Sequence, residues 1–227
     1  MAQLKVRAVI FDLDNTLVDF LRMKRTSIDA AINAMIAAGL PMSSVKASKL
    51  MYELYDQYGI EYNQIFQRFL EKAGKEIDYQ VLAAGIIAYR KAQAGILEPY
   101  PQVMRTLLRL RESGKKLAIL SDAPRLKAWL RLVELKLDSF FDIVVTFDDT
   151  GKTKPNKEPF LKVLEKLKLK PDECVMVGDW PERDLAGAKA IGMHTVFAKY
   201  GYFGKSKPKV KAEYSINSIS ELLSVLA

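Results

Sequence analysis

The chain has 227 residues, of which 49% are apolar, a formal charge of +8 and a single cysteine, Cys174. A single cysteine excludes an intramolecular disulfide, and the apolar fraction is high enough for a packed core. No apolar stretch is long enough to span a bilayer. The excess of Lys and Arg favours anionic partners, either phosphorylated small molecules or nucleic acid. We expect a soluble, cytoplasmic protein without a signal peptide.

The first predicted element is a buried strand over Val6–Phe11, a short apolar run that ends in two acids. Asp12 and Asp14 follow the strand, and strand alternation places both on one side, away from Leu13. Two like charges at that point repel unless a cation or a shared proton compensates, and a divalent metal is the simplest compensation. A plain Asp-rich turn is the alternative, and the Asp-x-Asp spacing alone leaves both open.

Helical periodicity then predicts four amphipathic helices joined by short turns. Their predicted ranges are Arg22–Ala38, Ser43–Tyr58, Tyr62–Ala73 and Asp78–Ala94. Because they lie between the first strand and all later strands, we expect a small helical bundle inserted into another domain.

From Pro99 onward, strands and helices alternate, which is typical of a doubly wound parallel sheet. The predicted strands are Leu117–Leu120, Ile143–Phe147, Val175–Val177, His194–Phe197 and Tyr214–Ile216. The predicted helices are Pro101–Ser113, Pro124–Glu134, Pro159–Leu169, Pro181–Ile191 and Ser218–Val225, the last with a Ser218 and Glu221 capping box. The fold class is therefore α/β, a Rossmann-like core with a helical insertion.

Polar residues follow the ends of these predicted strands. They are Ser121, Asp122, Lys154, Asp179 and Asp184. Each one alone is also compatible with a turn, a helix cap or a surface lysine. Parallel strands share one carboxyl edge, so we expect these groups to converge with Asp12 and Asp14. Such a set of acids requires a cation, and a hydroxyl and an ammonium beside it suit phosphate oxygens.

The motifs resemble the four motifs of the haloacid dehalogenase superfamily, in that family's order and spacing. They are Asp12-Leu13-Asp14-Asn15-Thr16, Leu120-Ser121-Asp122, Lys154-Pro155 and Gly178-Asp179 with Asp184. The resemblance implies a catalytic core over residues 1–17 and 98–227 and a helical cap domain over residues 18–97. It also implies a magnesium-dependent phosphatase that acts on a small phosphorylated metabolite.

The resemblance further assigns roles to these residues. Asp12 becomes the nucleophile that forms an aspartyl-phosphate, and Asp14 the general acid and base. Mg²⁺ is held by Asp12, the backbone carbonyl of Asp14 and Asp179, with Asp184 supporting that site. Ser121, Asp122 and Lys154 bind the phosphoryl group, with Asp122 contributing a backbone amide. Lys157 is a second candidate for the lysine, but Lys154 is preferred because it directly precedes Pro155.

Several alternatives remain at this level. A sugar phosphomutase shares the core motifs, whereas a true dehalogenase lacks an acid at the position of Asp14. A nucleic-acid-binding protein on a noncatalytic scaffold accounts for the positive charge, but the intact set of acids disfavours nucleic acid. Arg22 and Lys24 are either contacts for an anionic substrate or ordinary helix residues. A homodimer and the identity of the substrate stay open.

Overall fold

The computed structural model describes residues 3–74, 76–204 and 206–226. The chain forms two compact units. One runs up to Asp19 and resumes at Glu98, and the other is the insertion Phe20–Leu97. Within the described ranges, no helix combines the length and the apolar character that crossing a bilayer requires.

The inserted unit consists of the four predicted helices. They are α1 (Phe20–Ala37), α2 (Ser44–Tyr58), α3 (Ile65–Ala73) and α4 (Tyr79–Ile96). Their apolar faces meet in one buried cluster that includes Ile28, Met51 and Phe69. The Asp78 side chain begins α4 by accepting hydrogen bonds from the backbone N–H groups of Gln80 and Val81, as an N-cap does.

The other unit is built on a six-stranded parallel sheet in the order β3-β2-β1-β4-β5-β6. The strands are β1 (Ala8–Phe11), β2 (Lys116–Leu120), β3 (Ile143–Val145), β4 (Cys174–Gly178), β5 (His194–Ala198) and β6 (Tyr214–Ile216). This is the order of a doubly wound Rossmann-like sheet, so the predicted fold class is confirmed. The direction in which successive strands are added to the sheet reverses between β1 and β4, where such sheets place their ligands.

The central strands are buried on both faces because helices cover the sheet. All four residues of β1 are buried, and so are all five of β4. Ile10, Leu120 and Met176 pack on one face with Phe160 and Val163. This packing fixes the register, in which Phe11 pairs with Ile119 on one side and Val177 on the other. The residues that follow these strands therefore come out at one edge.

The helices around the sheet are α5 (Val103–Glu112), α6 (Arg125–Glu134), α7 (Phe147–Thr150), α8 (Lys157–Leu167), α9 (Ala186–Ala190) and α10 (Leu222–Val225). The extension of the predicted strand Ile143–Phe147 as far as Phe147 was wrong, because β3 ends at Val145. Phe147 starts α7, because Thr146 and Asp149 form a capping box that turns the chain into a helix.

Two further details differ from the predictions. Pro181–Leu185 is a single π-helical turn before α9, not the start of one continuous α-helix. The predicted Ser218 and Glu221 capping box was also wrong. The Ser218 hydroxyl lies 3.0 Å from the Ser220 hydroxyl, and Glu221 accepts a hydrogen bond from the backbone N–H of Asn217.

Candidate active site

Asp12 stands directly after β1, and Asp179 directly after β4. The Asp12 backbone N–H donates to the carbonyl of Val177 and so continues the pairing of the two strands by one residue. Because β1 and β4 are neighbours in the sheet, their two acids emerge side by side. Asp12 is 8% exposed and Asp179 is 3% exposed, so both carboxyls lie away from bulk water.

Lys154 is the cation at the centre of the site. Its ammonium lies 2.5 Å from Asp12 Oδ1 and 2.7 Å from Asp184 Oδ1, and it donates to the carbonyl of Leu120 at 2.9 Å. A buried ammonium is costly unless it is paired. Burial alone would lower the pKa of Lys154, but Asp12, Asp184 and Asp122 outweigh that effect and raise it. Lys154 therefore stays protonated.

One ammonium does not neutralise the acids that surround it. Burial raises the pKa of Asp12, and the charge of Asp184 adds to this despite the opposing effect of Lys154. Burial also raises the pKa of Asp179, with further contributions from Asp12 and Asp184. Part of each upward pKa shift therefore comes from repulsion among the acids, which Lys154 does not fully offset.

A divalent cation fits this imbalance. One carboxylate oxygen from each of Asp12, Asp179 and Asp184 lies within 4.8 Å of the others, and all three residues are buried. Hard divalent cations prefer carboxylate oxygens. The Thr16 hydroxyl donates to Asp179 Oδ1 at 3.1 Å and so holds that carboxylate in place. The donor set therefore suits a metal ion, although the carboxylate of Asp14 is not part of this group.

Asp184, the third acid of this cluster, lies in the π-helical turn Pro181–Leu185. Its Oδ1 faces Lys154, and its Oδ2 accepts a hydrogen bond from the backbone N–H of Trp180 at 2.9 Å. Single π-helical turns are frequent at functional sites, where they redirect a side chain. Periodicity in the sequence predicts an ordinary helix here and does not reveal this turn.

Asp14 has a different partner. Its Oδ2 lies 2.9 Å from Nη1 of Arg131, a residue of α6. Arg131 is 5% exposed, although its helix lies on the surface of the unit. The sequence analysis did not find Arg131. The sequence did contain one indication of its role. Arg131 lies on the same face of the helix as Ala128 and Leu132, where an apolar residue is expected.

Ser121 and Asp122 lie at the end of β2. Ser121 is buried, and its hydroxyl accepts a hydrogen bond from the backbone N–H of Ala123 at 3.1 Å. Asp122 Oδ1 accepts from the backbone N–H of Lys154 at 2.9 Å, and its Oδ2 accepts from Arg183. The Asp122 side chain therefore holds the loop that carries Lys154, a contact that the sequence did not suggest.

The chain segment after β5 packs against the loop that follows Asp12. The Tyr200 hydroxyl donates to the carbonyl of Thr16 at 2.7 Å. A Cβ at Gly201 would lie 1.6 Å from the carbonyl oxygen of Asn15, so only glycine allows this approach. Trp180 packs edge-on against Phe203, with ring centroids 4.9 Å apart. These contacts set where Asp12 and Asp179 stand.

A family model for haloacid dehalogenase-like hydrolases matches residues 6–192, which contain every acid of the site. The chain belongs to the haloacid dehalogenase-like hydrolases.

Two similar proteins are named glyceraldehyde 3-phosphate phosphatase. The one from Pyrococcus furiosus is 35% identical over 224 residues, which cover 98% of this chain and 93% of the relative. The one from Methanocaldococcus jannaschii is 31% identical and covers 97% of both chains. The crystal structure of a phosphatase of this superfamily from Thermococcus onnurineus superposes with a TM-score of 0.69, at 28% identity, covering 97% of both chains.

This haloacid dehalogenase-like hydrolase is therefore a phosphatase, and its substrate is a small phosphorylated metabolite.

Within its inserted unit, the Lys24 ammonium lies 4.8 Å from the ring centroid of Tyr55 and 5.2 Å from that of Tyr89, as in a cation–π contact. Arg22 and the alternative lysine, Lys157, are both exposed.

Proposed function

We propose that this phosphatase hydrolyses a phosphomonoester through a covalent intermediate on Asp12, with Mg²⁺ as its cofactor. The observation that carries the proposal is the meeting of Asp12 with Lys154, Asp179 and Asp184 at the carboxyl edge of β1 and β4. A carboxylate beside a fixed ammonium, within a set of metal-ligating acids, suits attack on a phosphoryl group.

In the first step, a carboxylate oxygen of Asp12 attacks phosphorus and the bond from phosphorus to the ester oxygen breaks. Asp14 gives its proton to the departing alcohol oxygen. In the second step, water attacks phosphorus, Asp14 accepts a proton from that water, and the bond from phosphorus to Asp12 breaks. Inorganic phosphate leaves, and both acids return to their starting states.

Lys154 and Ser121 are proposed to bind the phosphoryl oxygens. The Lys154 ammonium is held by Asp184 and the carbonyl of Leu120, so its charge is already in place before the reaction. Preorganised charge of this kind stabilises a transition state without reorganisation during the step. Asp122 contributes by holding the backbone of Lys154.

Mg²⁺ is proposed as the cation because all available ligands are oxygens. Asp12, Asp179 and Asp184 would hold it with their carboxylates, and the backbone carbonyl of Asp14 is a further proposed ligand. A bound divalent cation offsets negative charge on the phosphoryl oxygens and on Asp12. The sequence analysis gave Asp184 only a supporting role, whereas its carboxylate belongs to the same cluster as the other two.

Glyceraldehyde 3-phosphate is the proposed substrate, supported by the names of the two relatives. The test measures phosphate release from glyceraldehyde 3-phosphate and from a panel of other phosphorylated metabolites, with Mg²⁺ and with EDTA. We expect glyceraldehyde 3-phosphate to give the highest kcat/KM and EDTA to abolish turnover. Isomerisation of a hexose phosphate without phosphate release would instead indicate a phosphomutase.

The covalent step is tested with Asp12→Asn. We expect activity to fall at least about 10³-fold, and acid-quenched wild-type protein to carry ³²P from labelled substrate that the variant does not carry. Asp172→Asn is the matched control, because Asp172 is exposed and lies before β4, at the opposite edge of the sheet. Normal turnover by Asp12→Asn would reject Asp12 as the nucleophile.

We also propose a homodimer, on the basis of the outer face of α6. This face carries four exposed apolar side chains in a helical stripe, namely Leu126, Trp129, Leu130 and Val133. In an antiparallel dimer with two-fold symmetry, the stripe of one copy would pack on the stripe of the other. Arg125 of each copy would then lie next to Glu134 of the other copy. Light scattering should report a dimer, Leu130→Glu should report a monomer, and Leu161→Glu on α8 should change nothing. A monomeric wild-type protein would reject the dimer.

Three expectations from the sequence stay predictions. They are the cap domain over residues 18–97 with its core over 1–17 and 98–227, the absence of a nucleic-acid partner, and the cytoplasmic location.

A further inference from the structure

We propose that Arg131 is a positioning residue that holds the Asp14 carboxyl in line for its proton transfers, an inference that rests on the proposed function. The two residues are 117 positions apart in the chain, and their side chains meet at 2.9 Å. No motif that the sequence analysis singled out contains Arg131.

The burial of Arg131 is unusual for its helix. Four apolar side chains of α6 point outward, while this guanidinium is turned inward with only 6% of its side chain exposed. A helix that needed only an anchor to the sheet would bury an apolar residue and expose the charge. Burying a guanidinium is unfavourable unless a partner compensates for its lost hydration. Asp14 supplies a carboxyl oxygen that accepts a hydrogen bond from this guanidinium, and its ionised form, which the proposed cycle passes through, also supplies the opposite charge.

The contact also constrains Asp14 more than packing alone does. Asp14 comes from the loop after β1 and is 22% exposed at its side chain, so solvent borders it on one side. A charge-assisted hydrogen bond from a planar guanidinium limits the directions in which the carboxyl can point. Proton transfer requires that the carboxyl reach the ester oxygen within hydrogen-bond distance, so orientation affects its rate.

The test uses two substrates that differ in their need for a proton. Nitrophenolate leaves as a stable anion, whereas the alcohol of glyceraldehyde 3-phosphate needs a proton from Asp14. The value of kcat/KM reports only the steps up to departure of the alcohol or nitrophenolate. The later hydrolysis of the aspartyl-phosphate therefore does not mask an effect on that departure. We expect Arg131→Met to lower kcat/KM about 10- to 100-fold for glyceraldehyde 3-phosphate and less than about threefold for p-nitrophenyl phosphate.

Two further variants separate positioning from folding. Arg131→Lys keeps the charge but not the planar donors, so we expect a smaller loss with the same substrate dependence. If Arg131→Met does not fold, the ratio of the two kcat/KM values for Arg131→Lys decides the question alone. Arg109→Met on α5 is the control, because Arg109 is exposed and pairs with Glu112. We expect its two kcat/KM values to match those of the wild type.

A double-mutant cycle tests whether Arg131 acts through Asp14. In an Asp14→Asn background, we expect Arg131→Met to lower the residual kcat/KM for glyceraldehyde 3-phosphate by less than about threefold. Equal losses on both substrates, or a full additional loss in that background, would overturn the proposal while leaving the phosphatase reaction intact. Failure of the proposed function is separate, because it would appear as unimpaired turnover by Asp12→Asn.

Discussion

The Lys154 ammonium and the Asp12 carboxylate, 142 positions apart in the sequence, meet at 2.5 Å in the interior of the protein. Lys154 also contacts Asp184, so a single cation lies between two buried acids. The nucleophile that we propose is therefore held by the charge that we expect to bind the transferred phosphoryl group.

Replacing Lys154 by methionine should lower kcat/KM about 10²- to 10³-fold at saturating Mg²⁺, because a preorganised charge at the phosphoryl group is lost. Arginine should not restore activity, since its larger planar head does not fit a site built around an ammonium. Phosphate release measures both effects. Lys152→Met, two residues away and exposed, is the control. Activity close to that of the wild type in Lys154→Met would show that this cation is dispensable.

Replacing Thr16 by valine should weaken the apparent Mg²⁺ affinity about 10- to 100-fold with a smaller effect on the maximal rate. The reason is that the Thr16 hydroxyl holds Asp179, and residues that orient a ligand control metal affinity. A titration of activity against Mg²⁺ measures the shift.

Thr106→Val is the control for this prediction. Thr106 is equally buried, but its hydroxyl makes no hydrogen bond within the part of the chain that the structure describes. Its removal should leave both activity and Mg²⁺ affinity unchanged. An unaltered Mg²⁺ titration for Thr16→Val would mean that Asp179 does not ligate the metal or does not need this support.

Replacing Gly201 by alanine should destabilise the protein by about 2–3 kcal/mol and remove most activity. The new Cβ would collide with the backbone carbonyl of Asn15 and approach the Cβ of Asp179 to 2.9 Å, so the loop after Asp12 must move. Urea unfolding and phosphate release measure the two effects. Gly95→Ala in α4 meets no atom within 4 Å and should stabilise by up to about 1 kcal/mol. Wild-type stability in Gly201→Ala would contradict this close approach.

Cys174 should resist alkylation in the folded protein. Burial raises the pKa of its thiol to about 12, with smaller contributions from Glu173 and Asp172. The reactive species is the thiolate, so between pH 7 and 9 the folded protein should react roughly 10³-fold more slowly than the unfolded chain. The alkylation rates of the folded and the unfolded protein should both rise with pH, because a higher pH favours deprotonation of the thiol. Mass spectrometry after iodoacetamide treatment measures both, and rapid labelling of the native protein would contradict this burial.

Much of the architecture was available from the sequence because its signals are local. Continuous apolar runs indicate buried strands, and apolar residues with a period of 3.6 indicate helices. These patterns correctly gave the parallel sheet and the four helices of the insertion. Acids directly after Phe11 and Gly178 follow from the same strand assignments. The predicted strand end at Phe147 failed because a capping box at Thr146 and Asp149 outweighed strand propensity.

The sequence by itself determined which residue types stand at the strand ends, and hence the family and the class of reaction. Only the tertiary structure decided that Lys154 is buried while Lys157 is exposed, that Asp184 joins Asp12 and Asp179, and that Arg131 reaches Asp14. The physical reason is that periodicity reports which face of one element is buried. The partner of a charged side chain is set by the packing of elements that are distant in the chain.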